Sequence, residues 1–297
     1  MKALKEGVVS RLREAKIPYR RFTKLDARLS EYIRECIKHP HLHNLYELLA
    51  IEVFLKKVSR YVLRDEKVRH FILFYENIKL PSSEGMVSFS LTPVQVFQFT
   101  NIFWFYHDDG ERRVVRDVLL FVPRKFSKTT SIATMAVYDL MYGDVNAESY
   151  VASNSYQQSQ VCFRVISKIL RWLDPSFKRF KVNREEVSNK TPGRMSISRC
   201  LSSAADRLDG LNASLVIVDE YAQADSDALK SVLTSSMGAR KNPLTLVITT
   251  ASDKLDTPFT EMLDAYKSIL RGEAENDSVF AHVFEPDIDD EESDPAT

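Results

Sequence analysis

The chain has 297 residues, of which 44% are hydrophobic and 28% charged, and its formal net charge is zero. This composition is that of an ordinary globular protein with room for one large α/β domain and a smaller appendage. No run approaches the roughly 20 apolar residues of a membrane span, and residues 1–6 lack the apolar core of a signal peptide. Three widely spaced cysteines exclude a disulfide framework, so we expect a reduced, intracellular protein.

The zero net charge hides two opposite ends. Residues 1–70 contain 17 Lys/Arg against 9 Asp/Glu, and residues 285–297 contain seven acids and no base. A basic segment can meet nucleic acid or an acidic partner, although charge alone favours a solvated helical surface.

Residues 1–80 have the spacing of helices. Apolar side chains recur every three or four residues, as at Leu45, Leu48, Leu49, Val53 and Phe54. Pro40 is expected to separate two helices, and the turn-forming segment 81–85 marks the first boundary. His39, His41 and His43 beside Cys36 lack the paired spacing of a zinc site, so we assign them to a helix junction.

Beyond residue 85 the pattern becomes an alternation of strands and helices. We predict strands near 117–122, 149–153, 196–201, 214–218, 244–249 and 279–284. We predict helices near 128–142, 155–174, 225–238 and 257–271. This alternation indicates an α/β fold with a mostly parallel sheet covered on both faces.

A basic loop lies between the first predicted strand and its helix. The strand 118–122 leads into Pro123-Arg-Lys-Phe-Ser-Lys-Thr-Thr130. Backbone N–H groups at a helix start attract phosphate, Lys128 can reach the β/γ oxygens, and the Thr129 hydroxyl can ligate Mg²⁺. Val122 and Ser127 stand where a standard P-loop has glycines, and position 127 is one where glycine adopts the backbone conformation more cheaply. The alternative is an ordinary basic turn that caps a helix.

A second segment ends in two adjacent acids. Ser214-Leu-Val-Ile-Val-Asp-Glu220 is a short apolar run followed by Asp219 and Glu220. One carboxylate can hold Mg²⁺ while the next orients a water, as in the Walker B strand of nucleotide hydrolases. Many buried strands end in an acid, so the interpretation of this segment as a Walker B strand depends on the loop at 122–130.

In order along the chain, five segments resemble the N-terminal packaging ATPase of the large terminase subunit of tailed bacteriophages. They are Leu91–Gln98 with Ile102–Trp104, Arg124–Thr129, Tyr150–Ser155, Ser203–Asn212, and Leu244–Ser252. The resemblance covers roughly residues 86–290. It implies a P-loop NTPase three-layer sandwich with an N-terminal helical region: helices in 1–85, the ATPase domain in 86–284, and an acidic linker in 285–297.

The resemblance also implies roles for individual residues. Lys128 would balance phosphate charge, Thr129 and Asp219 would hold Mg²⁺, and Glu220 would position the attacking water. The remaining assignments are Gln95 for adenine, the loop Arg124, Lys125, Phe126, Ser127 and Thr130 for phosphate, Arg124 also for the γ-phosphate, Arg207 (with Arg240 behind it) as an arginine finger for a neighbouring subunit, and Thr249 and Thr250 for coupling.

The expected function is that of a viral genome-packaging motor, which uses ATP and Mg²⁺ to move double-stranded DNA into a procapsid in the bacterial host cytoplasm. Expected partners are the portal protein, the small terminase subunit and copies of this chain in a ring, with the isolated chain mainly monomeric and no membrane involved. In terminases an RNase H-type nuclease domain would follow the linker, so we expect no nuclease activity from this chain. The rival functions are a helicase-like nucleic-acid ATPase, which strand separation would distinguish, and a docking module weakened at Ser127, which turnover would exclude.

Overall fold

The structure is a computed structural model that describes residues 1–202, 210–254 and 256–287. Its α-helices are α1 (Lys2–Glu14), α2 (Tyr19–Leu25), α3 (Ala27–Lys38), α4 (Leu45–Arg60), α5 (Asp65–Asn77), α6 (Pro93–Phe103), α7 (Lys128–Tyr142), α8 (Tyr156–Leu173), α9 (Ala228–Ser235) and α10 (Pro258–Arg271). Its strands are β1 (Val62–Leu63), β2 (Leu80–Ser82), β3 (Gly85–Val87), β4 (Phe105–Tyr106), β5 (Asp117–Phe121), β6 (Glu148–Ser153), β7 (Phe180–Val182), β8 (Glu186–Asn189), β9 (Ile197–Ser202), β10 (Leu215–Asp219), β11 (Leu244–Thr249) and β12 (Val279–Val283). Short 3₁₀ turns lie at Pro40–Leu42, Tyr221–Gln223 and Ser236–Ala239.

Eight of the described strands form the central sheet, in the order β12-β5-β11-β10-β6-β9-β8-β7. The first six of that order run parallel, and β8 pairs antiparallel with both of its neighbours, β9 and β7. The parallel strands are continuous apolar runs because helices bury them: α7 and α8 pack on β6 and β9, α9 on β10, and α4 and α10 on β12. The predicted mostly parallel α/β sheet is therefore confirmed.

The six predicted strands are present within one or two residues at each end, and three of the four predicted helices match to within one. The fourth is wrong in extent, because α9 covers only Ala228–Ser235 and is followed by a 3₁₀ turn. The β7–β8 hairpin was missed, since its strands have three and four residues and too few apolar side chains to show alternation. This hairpin adds the antiparallel edge to the sheet.

The N-terminal helices pack against the last strand of the sheet. Pro40 does separate two helices, α3 and α4, as predicted. His43 Nδ1 lies 3.0 Å from Glu47 Oε1 and 3.6 Å from Cys36 Sγ, so these side chains belong to the junction between α3 and α4. No helix of the described residues is long and apolar enough to cross a bilayer.

A buried polar network joins α3, α4 and α6 to β12. The fully buried His282 lies 2.9 Å from the Tyr32 hydroxyl through Nε2 and 3.1 Å from Gln98 Nε2 through Nδ1. The Tyr32 hydroxyl in turn donates to Glu47 Oε1 at 3.3 Å. Burial lowers the pKa of His282 to about 4, so the ring is neutral at physiological pH.

Candidate nucleotide site

The carboxyl ends of β5, β6, β10 and β11 meet at one edge of the sheet, where parallel sheets bind their ligands. The loop after β5 begins α7, so backbone N–H groups at the helix start point into this edge. Val122 N donates to the carbonyl of Thr249 at 3.0 Å, which ties the loop to the end of β11. These connections bring the predicted phosphate loop and the two predicted acids to the same place.

Two residues of the loop have a left-handed backbone conformation. Ser127 has φ 60° and ψ 32°, and Lys125 has φ 66°, both in the left-handed region that glycine adopts most easily. The expectation of a glycine-favoured conformation at position 127 is confirmed. The Phe126 ring is half-buried and lies 5.8 Å from the ring of Phe284, so it anchors the loop to the chain after β12. Its contribution to a phosphate site is therefore that of its backbone.

Lys128 joins the loop to the acidic pair. Its Nζ donates to Glu220 Oε1 and lies 3.9 Å from Asp219 Oδ1. All three side chains are mostly buried, with 12–20% of each exposed, so the attraction of Lys128 to the two carboxylates is only partly screened by water. Thr129 and Thr130 follow in the first turn of α7 and are half-buried. The loop and the acid pair thus form one charged cluster.

Asp219 has an unusual environment. Burial raises its pKa to about 6; the charge of Lys128 opposes this rise and that of Glu220 adds to it. Its Oδ1 is buried and has no hydrogen-bond partner among the described residues. A buried carboxylate oxygen without a donor is costly unless a ligand completes it, and Mg²⁺ prefers such oxygen ligands. The residues present therefore fit Mg²⁺, with the Thr129 hydroxyl available in the adjoining helix turn.

Glu220 is held from three sides. Its residue has φ 55° and ψ 41°, and its N–H donates to the carbonyl of Ile248 at 3.1 Å. Its Oε2 accepts from the N–H and the hydroxyl of Thr250 at 3.4 and 3.2 Å. Asn154 Nδ2, at the end of β6, donates to the Glu220 carbonyl at 2.7 Å. Asn154 is not among the residues predicted from the sequence, because only the pairing of β6 with β10 brings it to Glu220.

The two threonines at the end of β11 differ in their contacts. Thr250 touches the Glu220 carboxylate directly. The Thr249 hydroxyl instead accepts from the N–H of Ala222 at 3.1 Å and donates to the carbonyl of Thr250 at 3.3 Å. Both therefore connect β11 to the segment that carries Glu220.

Three other predicted residues, Arg124, Gln95 and Arg207, differ in their surroundings. Arg124 is exposed and lines a cleft of about 430 Å³ with Asn154 above the sheet edge. Gln95 Oε1 already accepts from the N–H and hydroxyl of Thr92 at 3.0 and 3.1 Å, so it caps α6. Arg207 lies outside the described residues.

The second finger candidate lies elsewhere. Arg240 donates to the carbonyls of Asn146 and Asn212, which precede β6 and β10 at the amino edge of the sheet. That edge is opposite the phosphate loop. Arg240 therefore has a structural role within its own chain.

Comparisons with known proteins identify the family of this chain. The family model described as "Terminase large subunit, ATPase domain" matches residues 93–269, more than half of the chain. The large terminase of bacteriophage HK97 has a similar fold, with a TM-score of 0.62 and 22% identity over 77% of this chain and 45% of that one. Protein YmfN of Escherichia coli K12 is 33% identical over 87 residues, which are 29% of this chain and 19% of YmfN. The chain thus spans less than half the length of either. On the extent of the family match, the chain belongs to the family of terminase large subunit ATPase domains.

Proposed function

We propose that this chain is the ATP-hydrolysing motor of viral genome packaging, which uses ATP with Mg²⁺ to move double-stranded DNA into a procapsid. The observation that carries the proposal is the position of Lys128, the first residue of α7. Its Nζ donates to Glu220 Oε1 and lies 3.9 Å from Asp219 Oδ1. Phosphoryl transfer needs charge neutralisation and an oriented nucleophile more than it needs covalent chemistry. A lysine, a carboxylate with one oxygen that accepts no hydrogen bond from the described residues, and a second carboxylate are the groups that supply these.

Lys128 is the first group to act. In the structure its ammonium donates a hydrogen bond to Glu220. A triphosphate brings a larger negative charge to the N-terminus of α7 and competes for Lys128. Transfer of Lys128 to the β/γ oxygens then frees Glu220 Oε1. Nucleotide binding itself thereby prepares the carboxylate that handles water.

Glu220 is the group that orients the attacking water and accepts its proton. Thr250 retains Oε2 while Oε1 becomes available, so the carboxylate keeps its direction. Mg²⁺, held by Asp219 and Thr129, would supply charge neutralisation for the phosphates. Loss of the γ-phosphate returns Lys128 to Glu220, and Thr250 carries that change to β11. Arg124, which is exposed in the cleft, is the residue we propose for the γ-phosphate within its own chain.

The proposed partners follow from the family. They are double-stranded DNA, held through its phosphates without base readout, the portal protein, the small terminase subunit, and further copies of this chain in a ring that assembles in the host cytoplasm. Arg207 is the proposed finger supplied to the neighbouring subunit, and Gln95 the proposed reader of adenine. The side-chain oxygen of Gln95 caps α6, so we propose that Gln95 binds adenine through the hydrogen bonds that its side-chain NH₂ donates.

The direct test is Lys128→Ala. We expect turnover to fall at least a hundredfold and ATP binding to weaken, because the phosphates lose their main protein counter-charge. Lys56→Ala is the matched control, since Lys56 is an exposed lysine of α4. ATPase rates near wild type in Lys128→Ala would show that this loop is not the phosphate site.

A further inference from the structure

The outer face of α8 carries a row of cations. Arg164, Lys168 and Arg171 are exposed at intervals of four and three residues, which place them on one side of the helix. The 18 residues of α8 contain no Asp or Glu. The row spans about 10 Å along the helix axis.

Further cations lie at both ends of this helix. Arg179 donates to the carbonyl of Leu173 at 2.9 Å, and Arg184 reaches the Tyr156 hydroxyl at 3.5 Å, so the β7 side of the hairpin runs alongside α8. Lys79 Nζ lies 6.0 Å from the centre of the Trp172 ring. All three are exposed. We call the whole set the α8 basic surface: Lys79, Arg164, Lys168, Arg171, Arg179 and Arg184.

Among residues 1–202, 210–254 and 256–287, these six charges have no carboxylate partner. No carboxylate of the described residues lies within 4 Å of any of the six. Asp174, which follows α8, is buried and accepts from the N–H groups of Arg179 and Phe180 at 2.7 and 3.0 Å. Glu186 pairs with Arg199, which leaves Glu185 as the exposed acid of the hairpin turn.

The basic N-terminal region behaves differently. Six of its cations form ion pairs with carboxylates, none longer than 3.7 Å: Lys5, Arg11, Arg21, Arg28, Arg60 and Arg64. Its surplus of positive charge is therefore partly neutralised within the fold. In a chain of zero net charge, the α8 basic surface is thus a local excess that the fold leaves open to a partner.

We propose that the α8 basic surface contacts the phosphate backbone of double-stranded DNA. One DNA strand carries a phosphate about every 3.4 Å of helix axis, so the row on α8 matches about three phosphates. Four of the six residues are arginines, whose planar forks suit phosphate oxygens. The inference rests on the proposed function for the identity of the polymer, whereas the surface itself follows from charge and geometry.

The surface is also connected to the nucleotide site. Asn154, whose amide holds the Glu220 carbonyl, is separated from the first residue of α8 by Ser155 alone. Ser155 caps α8 by accepting from the N–H of Gln158 at 3.2 Å. A shift of Glu220 when nucleotide is hydrolysed therefore reaches the start of the helix that holds DNA.

The test compares duplex binding by two triple variants of the full chain. The first is Arg164→Gln with Lys168→Gln and Arg171→Gln. The second, Lys16→Gln with Lys38→Gln and Lys56→Gln, removes the same charge from exposed lysines of the N-terminal region. Binding of a fluorescent 30-bp duplex is followed by anisotropy, without ATP, over a series of salt concentrations.

We expect the α8 triple variant to bind about tenfold more weakly or worse at 0.1 M salt, and the slope of log K against log[salt] to become shallower by about three. The control variant should keep the wild-type slope. An unchanged slope in the α8 variant, or the same loss in the control, overturns the proposal. So does equally tight binding of poly-glutamate by the wild type, which would indicate an acidic protein partner.

Basal ATP hydrolysis without DNA separates this inference from the proposed function. The α8 variant should keep the wild-type basal rate, since its three residues lie outside the nucleotide site. A wild type that does not hydrolyse ATP refutes the proposed function and leaves the DNA-binding comparison valid. Should the triple variant fold poorly, Lys168→Gln alone should reduce the slope by about one, and an unchanged slope there overturns the proposal.

Discussion

His282 gives the structure its clearest dependence on pH. Burial among α3, α6 and β12 lowers its pKa to about 4, against 6.5 for a free histidine. Between pH 4 and pH 6.5 the histidine is protonated in the unfolded chain and neutral in the folded chain. Its contribution to the free energy of unfolding is therefore fully present above the unfolded pKa and is lost as the pH falls. By linkage, this one group should lower the free energy of unfolding by about 2 kcal/mol between pH 7.5 and pH 5.

The assay is urea unfolding of wild type and His282→Gln at both pH values. Burial raises the pKa of Asp139 and of Asp219 to about 6, so these carboxyls stabilise the fold as pH falls and oppose the histidine. Both acids are present in both proteins, so the difference between the two isolates His282. The wild type should lose about 2 kcal/mol more than the variant. Equal losses in both, or the same effect from the control His41→Gln, would refute this account of the network.

Three further predictions concern the site. Ser127→Gly should bind ATP within about threefold of wild type, because relief of a left-handed serine, worth about 1 kcal/mol, offsets the flexibility of glycine; a hundredfold loss in an ATP titration would give the serine side chain its own function. Asn154→Ala should lower kcat about tenfold with little change in KM, because it removes a hydrogen bond that positions Glu220; an unchanged kcat contradicts that role. Specific ATPase activity should rise faster than linearly with protein concentration, and Glu220→Gln chains should rescue Arg207→Ala chains, since an arginine finger from a neighbouring subunit can raise the rate by about 10³ or more. Flat specific activity without rescue would reject a finger from the neighbouring subunit and favour an arginine of the same chain.

The parallel sheet, and the position of the loop between β5 and α7, could be predicted because their signals are local. A parallel strand that is buried on both faces is a continuous apolar run, so the sequence Leu215–Val218 predicts such a strand. An acid that follows it lies at the edge of the sheet where ligands bind. The order Lys128-Thr129 after such a strand likewise fixes the start of a helix. These features need no knowledge of distant contacts.

The features that sequence reasoning missed depend on contacts far apart in the chain. Asn154 becomes informative only when β6 lies beside β10, which brings its amide to the carbonyl of Glu220. Gln95 is a different case, because its oxygen is taken by a local capping bond to Thr92, three residues earlier in the chain. The row on α8 is visible as spacing, but its lack of carboxylate partners appears only in the fold.

The central claim is that Lys128 and Glu220 form an ATP-hydrolysing site, and Glu220→Gln tests it most directly. The amide keeps the shape of the side chain and loses the carboxylate that accepts a proton from water. With Mg²⁺ present, wild type should release phosphate from ATP, whereas Glu220→Gln should bind ATP with similar affinity and turn over about a hundredfold more slowly or worse. A wild type without turnover in the presence of DNA, or a Glu220→Gln variant that hydrolyses ATP at the wild-type rate, would contradict the account.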